Sequence, residues 1–63
     1  MNTLILFVVM CAGINGTVEC NIFEPMAWEQ PDETSYTECE VLQYGYNIQR
    51  NVEHAFCAQP GEV

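Results

Sequence analysis

The sequence predicts a small disulfide-stabilised α+β domain: a short extended or hairpin segment followed by one amphipathic helix. Three observations carry this. Three well-spaced cysteines, Cys20, Cys39 and Cys57, follow an apolar opening run. A proline-containing turn signal, Gln30-Pro31-Asp32-Glu33, lies between two short stretches bearing Trp28 and Tyr36. Beyond it, apolar residues recur at helical spacing. A chain of 63 residues supports one domain at most, and so small a core leans on bridges, metals or partners.

The first element is the run Leu4 to Ile14, apolar throughout. As a helix it would span roughly 16 Å, about half of a bilayer's hydrocarbon, so it is too short for a membrane span. Its length and position fit the hydrophobic region of a signal peptide. Residues 1–16 are therefore expected to be a leader, with cleavage as late as residue 20. The mature chain would be a single small domain over 17–63, with a frayed tail at 58–63. Its expected destination is secreted and extracellular. Asn15-Gly16-Thr17 matches the N-glycosylation pattern, but either cut separates or removes it.

The cysteines follow from this leader. Cys11 would depart with it, and an oxidising compartment favours bridges among the others. Three is an odd number. One stays free, or it pairs between two copies as a disulfide-linked dimer, or Cys20 leaves with the leader. In the last case the bridge is Cys39–Cys57. Structural zinc needs four ligands at short paired spacings, which this sequence does not offer, so no metal and no cofactor are expected.

Residues 19 to 40 carry Glu19, Glu24, Glu29, Asp32, Glu33, Glu38 and Glu40 and no base. Pro25 and Pro31 argue against a continuous helix there. The turn at Pro31 would set Trp28 opposite Tyr36 in a hairpin. A helix is expected from about Glu38 to Phe56. Thr37 and Glu40 would form its capping box, and Val41, Tyr44/Gly45, Ile48, Val52 and Ala55/Phe56 its apolar stripe. The tail after Cys57 reads as coil.

A formal charge of -8, with Arg50 the only Lys or Arg, excludes nucleic acid as a partner and disfavours cationic action on membranes. His54 is the only histidine, and no nucleophile, base and orienting acid are arranged as a catalytic site, so no catalytic residues are assigned and no enzyme is expected. The expectation is a non-enzymatic acidic effector of a glandular secretion that binds an extracellular protein, a receptor or a protease. Trp28, Tyr36, Tyr44 and Tyr46 are its candidate contacts, since aromatic anchors dominate interface energies. Tyr36, among acids, also has the context in which secreted tyrosines are sulfated.

Cys20-Asn21-Ile22-Phe23-Glu24-Pro25-Met26, followed by Ser35-Tyr36-Thr37-Glu38-Cys39-Glu40-Val41-Leu42, resembles a degenerate Kazal-type serine protease inhibitor domain. The resemblance would cover residues 20 to 57. It implies a Cys20–Cys39 bridge, with Cys57 left without a partner. It also implies an inhibitory loop presenting the Ile22–Phe23 bond to a protease cleft. Two of the family's three bridges have no counterpart here. A floppy loop costs affinity on binding, so the resemblance implies weakened inhibition at most.

Overall fold

The computed structural model describes residues 2–60, and they form a three-stranded antiparallel sheet with one helix packed on one face. Strand β1 is Thr3–Ile14, β2 is Thr17–Glu29, helix α1 is Glu33–Asn47 and β3 is Val52–Ala58. The strand order is β2-β1-β3, so the apolar opening run is the middle of the sheet. Because β1 is antiparallel to both neighbours, β2 and β3 run in the same direction, and α1 connects them across β1. This is a disulfide-stabilised α+β fold.

Residue pairing explains why β1 is central. Leu4, Leu6 and Val8 point to the helix and are buried. They meet Trp28, Cys57 and Ala55 across the ladders, with Cys39, Leu42 and Tyr46 supplied by α1. Ile5, Phe7 and Val9 point the other way, as strand alternation requires. A strand apolar on both faces gains most from a position with hydrogen-bonded neighbours on each side.

The β1–β2 turn is Asn15-Gly16, with φ of 52° and 80°. Two consecutive positive φ values are the geometry of a type I′ hairpin turn, and Asn-Gly is the dipeptide that adopts it at least cost. Gly16→Ala should cost about 1 kcal/mol, because a side chain disfavours the left-handed region. Urea unfolding of the oxidised chain measures this as a lowered midpoint with an unchanged slope. The strand ladder also carries two bulges. Glu24 and Pro25 oppose Phe7 alone, which places the proline where it disrupts no required hydrogen bond. On β3, Glu53 is the extra residue between His54 and Val52.

Several expectations are corrected. The chain reverses at Gln30, whose φ is 51°, and not in a hairpin around Pro31. Trp28 is paired with Leu4 of β1, and Tyr36 lies in α1, so the two aromatics are not cross-strand partners. The helix runs from 33 to 47 and not from 38 to 56; Val52, Ala55 and Phe56 belong to β3. Its cap is Asp32, not Thr37. The Asp32 carboxylate accepts from the Ser35 amide at 3.0 Å, and the Ser35 hydroxyl accepts from the Asp32 amide at 3.3 Å. Thr37 instead donates to the Glu33 carbonyl within the helix. Asp32, directly after Pro31, sits five residues earlier than Thr37 and captures the free amides first.

These bonds, led by the one from the Ser35 amide, hold the Asp32 carboxyl below its ordinary value. The folded-state value is therefore depressed relative to the unfolded chain. The cap's contribution is present above the unfolded value and is lost as pH falls through the folded one. Asp32→Ala should lower helix content and remove this part of the acid dependence. Circular dichroism followed through an acid titration checks both.

All four cysteines are paired within the chain: Cys11 with Cys20, and Cys39 with Cys57. There is no odd cysteine and no thiol left for a disulfide-linked dimer. The Cys39–Cys57 bridge expected for the two-cysteine case is present. The Cys20–Cys39 bridge implied by the inhibitor resemblance is not, because Cys20 sits directly opposite Cys11 on the hairpin. β3 ends its pairing at Met10, so the hairpin overhangs beyond it. A two-stranded ribbon alone is marginal, and Cys11–Cys20 clamps this overhang. The expected tail 58–63 begins as structure: Ala58 closes β3, and the Gln59 amide donates to the Tyr36 hydroxyl at 3.1 Å. Residues 61–63 lie outside the described residues.

Candidate functional site

The helix has two apolar stripes, and its rotation decides which one is offered to solvent. Cys39 is fixed inward by its bridge to β3, and Leu42 and Tyr46 follow it onto the core. This turns Val41, Tyr44 and Ile48 outward, with 65%, 62% and 71% of their surface exposed. Val41, Tyr44 and Ile48 of the expected apolar stripe face water, while its Val52 and Ala55 are buried as part of β3. Asn47 fixes the other end of the helix. Its side-chain amide donates to the Ala55 carbonyl at 3.0 Å and its oxygen accepts from the Ala55 amide at 2.8 Å. That pair satisfies the outer edge of β3 at this point, as another strand would.

Acids border the outward stripe. Glu33 and Glu40 lie in α1 toward its β3 side, Glu40 beside Tyr36 and Gln59, while Glu38 lies on the opposite flank. The Glu38 carboxylate accepts from the Trp28 indole at 3.2 Å, which joins helix and β2. Thr34, Thr37, Glu38, Val41 and Leu42 line an open depression of about 510 Å³. A second one, of about 390 Å³, continues along Val41, Leu42, Gly45, Tyr46 and Gln49. Together they make an apolar track with an acidic rim. Arg50, beyond the helix, is the one Lys or Arg of the chain.

The structure separates the four aromatic candidates. Tyr44 lies on the outward stripe and Tyr36 is exposed on the β3 flank. Trp28 and Tyr46 are partly buried and pack against the core, so much of their apolar surface is already committed to folding. Ile22 and Phe23 lie inside β2, paired with Val9 and Val8, in a regular strand and not in a loop. Val41 and Ile48 are the surface residues that sequence reasoning missed as contacts. The helical periodicity contained them but not the direction they face.

Among the described residues, no group of three or more His, Cys, Asp or Glu side chains is gathered as metal ligands would be. No helix among them is long and apolar enough to cross a membrane. Comparison with known proteins finds no matching family model, no matching curated protein and no matching solved structure.

Proposed function

We propose that the folded chain is a non-enzymatic binding module of an oxidising extracellular fluid, docking a basic protein partner on the outer face of α1. The observation that carries this reading is the exposed stripe Val41, Tyr44 and Ile48, bordered by Glu33, Glu38 and Glu40. Exposed apolar side chains supply buried area on binding, and the acidic border steers a basic surface toward them. The two disulfides support an oxidising setting, where such bonds persist.

The test uses a synthetic amphipathic helix of Leu and Lys as the basic probe, and its Leu and Glu counterpart as the control. Calorimetry should detect binding of the first only, weakening as salt rises. Val41→Lys in the full chain should abolish it while the circular dichroism spectrum stays the same. Equal binding of both probes, or of neither, would remove the basis for the reading.

A second reading rests on the unbroken apolar run Leu4–Ile14, which has the length of an export leader. A secreted chain starting at Thr17 would keep α1, β3 and the Cys39–Cys57 bridge. It would lose the central strand, and Cys20 would lose its partner. Leu4, Leu6 and Val8, half of the buried core, would go with β1, so the binding reading applies to the chain that retains that strand. The N-terminal sequence of the natural product tells them apart.

A further inference from the structure

Among the described residues, no element packs on the face of the sheet opposite α1. By strand alternation and register it carries Ile5, Phe7 and Val9 of β1, with Val18, Ile22 and Ala27 of β2 and His54, Phe56 and Ala58 of β3. Phe7 stacks on Phe56 with ring centroids 5.3 Å apart, and His54 stacks on Phe56 at 5.4 Å. Val18 and Ile22 are 71% and 57% exposed, Ile5, Val9 and Phe56 are half-buried, and Phe7 at the centre is 9% exposed. An antiparallel sheet with one wet face normally alternates apolar and polar residues. Here the wet face is as apolar as the packed one.

We propose that this face is the interface of a symmetric dimer, two sheets packing face to face around a two-fold axis. Charge argues for a second copy. The chain carries -8, yet Glu29 at the Thr3 end is the one acid that the register puts on this face. Glu24 and Glu53 sit in the bulges, Glu19 pairs with Ala12 on the helix side, and Asp32, Glu33, Glu38 and Glu40 belong to the helix. Nothing on the plate selects a charged partner. In the dimer the helices and their acids lie on opposite outer surfaces. Stacked sheets are about 10 Å apart, and a helix layer adds about as much again on each side, so the acidic surfaces are separated by more than a Debye length of about 8 Å.

Area points the same way. The molecule is 43 Å long and β3 has 7 residues, so two long strands and one short one at about 4.8 Å spacing give a plate of about 500 Å² per copy, about 1,000 Å² in all. That is at the lower limit for a specific interface, so the dimer is a weak and reversible one. An isologous contact of this kind closes on itself and leaves the helix faces free. The inference uses the face opposite α1, and it stands apart from the helix-face reading.

Sedimentation equilibrium of the oxidised full-length chain tests it. A monomer–dimer equilibrium is expected, with no larger species. Ile22→Lys puts a charge on an exposed edge-strand position, where folding tolerates it, and enters the interface twice. It should weaken the dimer about a hundredfold. Val41→Lys on the helix face should leave it unchanged. Isotope-filtered NMR should show contacts between copies at the Ile5, Val9 and Ile22 methyl groups. A chain that stays monomeric up to about 1 mM overturns the proposal. So does a dimer that survives Ile22→Lys and dissociates with Val41→Lys.

Discussion

Leu6→Ala in the full-length chain should remove a third or more of the protein's stability and lower its urea midpoint accordingly. Leu6 is completely buried in the middle strand, between Met26 of β2 and Cys57 of β3. Removing its side chain leaves a cavity under α1, at a cost of about 3 kcal/mol. A domain of this size has a total stability of about 3 to 9 kcal/mol. The expected loss is therefore a third of it or more. The core cannot absorb the change by repacking, because its buried members are few: Leu4, Leu6, Val8, Cys39, Val52 and Ala55. Urea unfolding followed by Trp28 fluorescence measures the effect. A midpoint within error of the parent chain would mean that β1 contributes nothing to the folded protein.

The second large effect is expected from replacing Cys39 and Cys57 together by Ser. This bridge closes a loop with a sequence separation of 18 and ties α1 to β3. In the chain-entropy picture, its loss costs about 3 kcal/mol. The consequences go beyond that figure. Cys39 also fixes the rotation of α1, so without it the helix can turn and bring Val41 inward in place of Leu42. The double variant should lose cooperative unfolding and expose enough apolar surface to bind a hydrophobic dye. The same exchange at Cys11 and Cys20 should cost less in cooperativity, because that bridge clamps an overhang with no contact to the helix core. A variant lacking Cys39 and Cys57 that unfolds as sharply as the parent would contradict the role given to the bridge.

The α+β class was legible in the sequence, while the Cys39–Cys57 bridge was expected only for the case in which Cys20 is lost. The structure keeps Cys20 and forms the bridge because Cys11 takes Cys20 as its own partner. The order of elements was less so. Asn15-Gly16 between apolar stretches is a strong hairpin signal, but the same residues also lie where a signal peptidase would cut and within a glycosylation pattern. Read as a hairpin turn, they pair the opening run with the segment after Thr17 and make Cys11 the natural partner of Cys20. The helix starts five residues earlier than expected because both Asp32 and Thr37 can cap and the nearer one to Pro31 wins, and it ends nine residues earlier, at Asn47. Val41, Tyr44 and Ile48 show the remaining difficulty. Periodicity locates a stripe but cannot say which of two stripes turns inward. A covalent tie at Cys39 decides it here, and only the paired structure reveals that tie. The apolar character of the outer sheet face was hidden for a related reason. An unbroken apolar run gives no alternation from which two faces can be told apart.

The account depends most on residues 3–14 being the middle strand of the working protein. Intact mass and N-terminal sequencing of the natural product, isolated without reductant, test this directly. A chain that retains residues 3–14 and is four hydrogens lighter than its reduced form is the predicted result, since two bridges remove four thiol hydrogens. A product beginning at Thr17 or Asn21 would contradict it, because neither form retains β1 or Cys11.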